Sequence, residues 1–271
     1  MSTIKTVIVI GLVVYLLLAL AVYVFQERFI FLGEPISQDH VYSFRAPFEE
    51  QRFEMPDGGE INSLYFEAED PKGVVFYHHG NGGELPRWGE VSYFFLNQGY
   101  DFFIYDYRGY GKSTGKRSEK ALLDDAQILY ERLTTRWSEE QIVVYGRSLG
   151  SGPASYVAGR NHPVMLILET PFFSLQEMAA RYFPFLPSGQ LVRYRFPNSA
   201  YLSEARTEIH IFHGTEDQVV PYESGHRLFE ALSKETAHFY TVEGANHGNL
   251  LDFVTYRAGI TRILAELNQS E

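Results

Sequence analysis

Hydrophobic and polar positions alternate with two different periods along this chain, and in one stretch they do not alternate at all. Residues 7–25, VIVIGLVVYLLLALAVYVF, carry no charge across nineteen positions. As a helix rising about 1.5 Å per residue, the run covers close to the ~30 Å hydrocarbon thickness of a bilayer. It predicts a membrane-spanning anchor over residues 1–25 and a separate domain over 26–271. A cleaved signal peptide competes with this reading, because Lys5 precedes the run and Ala19-Leu20-Ala21 suits a signal peptidase. Lys5 on one side and Arg28 beside Glu27 on the other nearly balance the positive-inside count, so the side of the membrane stays open.

Beyond the run, residues 41–66 alternate with period two in stretches such as VYSFR and INSLYFE, and Pro56-Asp57-Gly58-Gly59 between them is a turn signal. These predict an antiparallel start to a sheet. Apolar runs of strand length then recur: GVVFY (73–77), YDFFIYDY (100–107), QIVVYG (141–146), VMLILE (164–169), IHIFHG (209–214) and HFYTVEG (238–244). Near-continuous apolar strands suit a sheet covered on both faces. Leu122, Leu123, Ala126, Leu129, Leu133 and Trp137 fall at helical spacing between two of them. Strand and helix alternate, which predicts an α/β fold with a mostly parallel sheet flanked by helices. Residues 171–202 break the rhythm, being long, proline-punctuated and rich in aromatics. They predict a cap over the C-terminal edge of the strands, where open α/β sheets bind ligands, or else an irregular packed excursion.

Composition narrows the chemistry. The chain has 271 residues, 45% of them hydrophobic, enough for one large domain with a substantial core. Its net charge of -11, with no basic cluster to offset it, excludes a nucleic-acid partner. The absence of cysteine removes disulfides, thiolate metal sites and cysteine nucleophiles. No H-E-x-x-H or comparable cluster is present, so no metal is expected. Gly111-Lys112-Ser113 imitates the end of a phosphate-binding loop, but Asp106 stands where that motif needs glycine, and no cofactor is expected.

Residues 143–152, VVYGRSLGSG, hold Ser148 in the pattern G-x-S-x-G, between an apolar strand and a plausible helix. That context lifts a serine hydroxyl above the sheet edge; a serine that merely caps a helix is the bland alternative. A serine nucleophile needs a base and an orienting acid. His247, in the glycine-rich EGANHGNL after the last strand run, stands in the expected order, while His78 and His79 precede Ser148, His210 and His213 lie in or at the end of a strand, and His40, His162, His226 and His238 have no loop signature. The acid belongs between them: Asp217 follows strand IHIFHG, with Glu216 its neighbouring rival and Glu169 a third candidate. Backbone N–H groups of Leu149 and of Asn81, in YHHGNGGE, are the expected oxyanion donors.

With GRSLGSG, HGTEDQVVP, GANHGNL, HHGNGG and DYRGYGKS in order, the sequence resembles the α/β-hydrolase fold serine hydrolases, more narrowly bacterial membrane-anchored relatives of the ABHD-type lipases and depalmitoylases. The likeness runs from FQERFIF at 25–31 to the C-terminus, departing at Gly83-Glu84 of the oxyanion loop. It implies Ser148 as nucleophile, Asp217 as acid, His247 as base, Asn81 and Leu149 as oxyanion donors, and a retained anchor. The expected activity is hydrolysis of an ester or thioester through an acyl-enzyme. Phe172, Phe173, Phe183 and Phe185 of the cap predict an apolar, lipid-like acyl substrate. A peptidase, an acyltransferase or a non-catalytic scaffold on the same fold are the alternatives.

Overall fold

The computed structural model describes residues 2–267; Met1 and residues 268–271, at the outer ends of the two expected ranges, lie outside the described residues. Eight strands form one sheet: β1 (Phe48–Glu54), β2 (Glu60–Phe66), β3 (Val74–His78), β4 (Asp101–Tyr105), β5 (Ile142–Arg147), β6 (Met165–Glu169), β7 (Glu208–Gly214) and β8 (Ala237–Val242). Their order is β1-β2-β4-β3-β5-β6-β7-β8. β2 runs antiparallel to both neighbours, and β3 to β8 pair in parallel. The antiparallel start is present, but VYSFR is not part of it. Residues 41–45 form no strand, and FEEQRFE takes the edge position instead, its side chains half-buried or exposed. Tyr42 tucks beneath this edge, where its hydroxyl donates to Asn62 Oδ1 at 2.8 Å.

Alternation within each buried strand sends successive side chains to opposite covers. Ile142 and Val144 join Phe76, Leu166 and Leu168 under helices Glu119–Leu133 and Ser151–Arg160. Val143 and Tyr145 join Val75, Tyr77 and Ile167 under Ser92–Leu96 and Val254–Leu267. The two-sided core explains the near-continuous apolar runs. Trp137 lies past the end of its helix yet packs half-buried against the first cluster.

From β3 the chain steps outward to β4, then back past β3 to β5. The loops leaving β3 and β5 therefore diverge to opposite faces, and the gap between them opens a crevice at the strands' C-terminal ends. Residues 171–202 lie above it, between β6 and β7, carrying the short helices Leu175–Tyr182, Ser188–Leu191 and Asn198–Tyr201. The N-terminal helix does not end with its apolar run at Phe25 but continues unbroken from Ser2 to Ile30. Most of it is exposed, whereas Ala19, Val22, Gln26 and Ile30, one stripe at helical spacing, are buried or half-buried. Gln26 fastens the stripe to the cap: its amide donates to Leu191 O and accepts from Arg193 N, at 3.3 and 2.7 Å. Glu27 accepts from Arg193 and from the Tyr194 hydroxyl, at 3.0 and 2.9 Å.

Candidate active site

β5 runs into Ser148, a 3₁₀ turn follows over Ser148–Gly150, and helix Ser151–Arg160 leaves. Ser148 itself has φ = +50°, in the left-handed region that a residue with a Cβ adopts only under constraint. Its glycine neighbours supply that constraint by letting the backbone close up. A Cβ at Gly150 would stand 2.0 Å from His78 O, and one at Gly146 would stand 2.5 Å from Ala154 Cβ.

The loop after β8 brings His247 to this elbow. His247 Nε2 lies 2.9 Å from Ser148 Oγ, and His247 Nδ1 lies 2.8 Å from Asp217 Oδ2. Asp217 is seated in turn, its Oδ1 accepting the backbone N–H groups of Val219 and Val220 at 2.9 and 2.8 Å. Burial alone would raise this carboxyl, but hydrogen bonds from His213 and His247 outweigh it and hold it well below the usual carboxylate range. The acceptor that faces Nδ1 is therefore ionised at neutral pH. Glu216 points into solvent, and Glu169 is committed elsewhere, so neither rival acid reaches His247.

Glu169 has a different task. It pairs with Arg147 across the β5–β6 register, Nε to Oε1 at 3.0 Å, and accepts from the Tyr145 and Tyr256 hydroxyls at 2.5 and 2.9 Å. Burial opposes the charge on Arg147, but Glu169 outweighs it and the guanidinium pKa is raised. The same guanidinium donates to the backbone carbonyl of His247 at 2.8 Å and stacks over Trp88. Sequence inspection missed Arg147 because it occupies the variable position of the motif. The readable signal was its place opposite Glu169 at the ends of adjacent strands.

The glycine loop after β3 lines the other wall with Gly80, Asn81 and Gly82. Asn81 Oδ1 accepts from Leu32 N and from the Tyr110 hydroxyl, both at 2.8 Å, which pins the side chain outward from its own backbone. Among the described residues, the Asn81 N–H donates to nothing. Trp88 Nε1 holds Gly82 O at 3.0 Å. The departure at Gly83-Glu84 fits this loop: Gly83 takes φ = +89°, and Glu84 accepts Glu34 N at 2.7 Å.

Ser148 and His247 open into a pocket of about 710 Å³. Cap residues Phe172, Met178, Ala179 and Phe183 line it, and so do Val22, Phe29 and Ile30 of the N-terminal helix. Two of the four expected phenylalanines are elsewhere. Phe185 is 90% exposed in the turn after helix Leu175–Tyr182, and Phe173 packs on the core with Arg227 over its ring. Aromatic content marked the cap without telling which rings turn inward. No group of metal-ligating side chains is present among the described residues.

Sheet order, elbow and the placement of serine, histidine and aspartate define the class: this is an α/β-hydrolase fold hydrolase, related to the ABHD-type enzymes. Within it, the chain belongs to the serine aminopeptidase S33 family, whose model matches residues 69–208. Alpha/beta hydrolase domain-containing protein 17B of Xenopus laevis is 32% identical over 72% of this chain and 67% of its own length. The human protein of that name is 33% identical over 66% of this chain, which spans 62% of that relative's length. An uncharacterised Mycobacterium tuberculosis protein is 30% identical over 79% of this chain and 78% of its own. Among solved structures, an esterase from Pyrococcus furiosus superposes with TM-score 0.69 at 17% identity, covering 87% of this chain and 98% of its own. A monoglyceride lipase from Saccharomyces cerevisiae does so with TM-score 0.64 at 15% identity, covering 86% and 99%.

Proposed function

We propose that the protein is a membrane-anchored serine hydrolase that cleaves esters or thioesters of an apolar acyl group through an acyl-enzyme on Ser148. The observation that carries this reading is the unbroken relay Asp217–His247–Ser148, with 2.8 and 2.9 Å contacts, at the floor of an apolar pocket. His247 Nε2 takes the Ser148 proton as Oγ bonds to the substrate carbonyl carbon, and Asp217 balances the imidazolium. The oxygen of the tetrahedral intermediate receives the N–H groups of Leu149 and Asn81. Collapse breaks the bond to the leaving alkoxide or thiolate, which takes the proton from His247. Water then enters through the same base, and the acid leaves as Ser148 recovers its proton.

The serine aminopeptidase name of the family invites a peptidase reading, but an aminopeptidase must pair the substrate's terminal ammonium. No acidic side chain lines the pocket among the described residues, which instead present Arg87 and Arg147. Retention of the anchor is supported by the cap contacts: cleavage near Ala21 would leave Val22–Ile30 as a frayed terminus and loosen one wall of the pocket. A panel of p-nitrophenyl esters of rising chain length tests the acyl assignment. Preference for medium or long chains is expected, and fastest cleavage of the acetate would overturn it.

A further inference from the structure

Resting on the hydrolase reading, we infer that the acyl pocket is completed by the protein's own N-terminal helix and opens into the bilayer, so that the acyl chain of a membrane lipid or lipid-modified molecule enters laterally from the surrounding leaflet.

The nineteen uncharged residues end at Phe25, and Glu27 and Arg28 follow, which sets the hydrocarbon boundary within that turn. Val22 lies three residues back, about 4.5 Å deeper along the helix axis. Val22 nonetheless lines the same pocket as Ser148 and His247. The lining of one pocket thus includes both a residue at hydrocarbon depth and the elbow serine. Gln26 is the polar residue on this stripe, and the cap backbone occupies its amide. A chain passing along the stripe therefore meets no unsatisfied polar group there.

The rim tells the same story. Eight large apolar side chains are exposed beyond Phe25, and four of them, Phe29, Leu32, Tyr182 and Val219, line the pocket. Phe185, the most exposed of the eight, extends from the cap just after Phe183, whose ring lies 6.2 Å from Phe29. A soluble enzyme scatters such residues; here half of them gather at the pocket beside the span, as on a surface seated in lipid. Glu27 pairs with Arg193 of the cap at 3.0 Å and Arg28 follows it, so charge gathers just past the apolar run, as suits headgroup depth.

Reconstitution tests this with the full chain in phosphatidylcholine vesicles that include a phosphatidylcholine carrying a diazirine on its acyl chain. Irradiation is expected to place adducts on residues 22–32 and 175–183 as well as on the outward face of the span. Prior reaction with a long-chain alkyl fluorophosphonate should reduce those pocket adducts several-fold while leaving the outward ones unchanged. Adducts confined to the outward face, or pocket adducts indifferent to a phosphonate that has labelled Ser148, would overturn the lateral route alone. A folded protein whose Ser148 never reacts would overturn the hydrolase reading and the route with it. Val22→Trp, which narrows the lipid end, should lower the ratio of long-chain to short-chain ester hydrolysis on the order of tenfold. An unchanged ratio counts against the route.

Discussion

Removing Arg147 isolates a buried charge, and the consequence can be worked from the structure. Arg147 and Glu169 are 8% and 2% exposed, and their side chains pair at 3.0 Å. Arg147→Met keeps much of the volume against Trp88 but leaves the Glu169 carboxylate with two tyrosine hydroxyls and no counter-charge. Breaking a buried pair from one side is destabilising by about 3–5 kcal/mol. In a domain of this size, that lowers the melting temperature by roughly 6–20 °C. The variant also loses the hydrogen bond to His247 O, freeing the loop that carries His247, so on the proposed mechanism kcat is expected to drop about tenfold beyond any loss of folded protein. Differential scanning fluorimetry of the detergent-solubilised protein, with kcat measured well below the melting point, reads both. Arg147→Met combined with Glu169→Gln removes the orphan charge and should recover at least half of the lost stability without recovering kcat. A single variant that melts within about 2 °C of the parent, less than ~1 kcal/mol, would refute the reasoning. So would a double variant as unstable as the single one.

Asp217→Asn should preserve the fold yet reduce kcat by about 10⁴, since the amide no longer fixes the imidazole tautomer or its charge; steady-state ester hydrolysis checks it, and a loss under tenfold would contradict it. The pH dependence of stability carries a sign. Because Asp217 titrates lower in the folded protein than in the unfolded chain, its contribution is present above about pH 4 and is lost as pH falls toward its folded value. The parent should therefore lose more melting temperature between pH 5 and pH 3 than Asp217→Asn does, and parallel curves would count against the assignment. Gly150→Ala drives a methyl group to 2.0 Å from His78 O at the packed elbow and should destabilise by about 3 kcal/mol or more; a parent-like melting curve would show that the elbow has room to relax.

Strand placement was readable wherever burial is two-sided, as in VVFYH and IVVYGR, because no polar position interrupts such a run. The edge strand FEEQRFE was not, since both its faces meet solvent and its pattern carries little signal, while the better alternation of VYSFR belongs to a coil that buries Tyr42 alone. Hydropathy ended the first helix at Phe25, but helix geometry does not stop where apolarity does: Gln26 and Glu27 extend it by bonding the cap. Ser148, Asp217 and His247, which the structure brings together, could be picked out by order because each follows its own strand. The roles of Arg147 and Val22 depend on which distant segments fold against them, and local pattern holds no record of that.

Ser148 as an activated nucleophile is the claim on which the rest stands. A fluorophosphonate applied to the folded protein and to Ser148→Ala, followed by intact mass and peptide mapping, addresses it in one step. The account predicts a single phosphonyl adduct on Ser148 in the parent, with the leaving fluoride lost, and none in the variant. A parent that stays unmodified while folded, or an adduct that persists in Ser148→Ala, would contradict it.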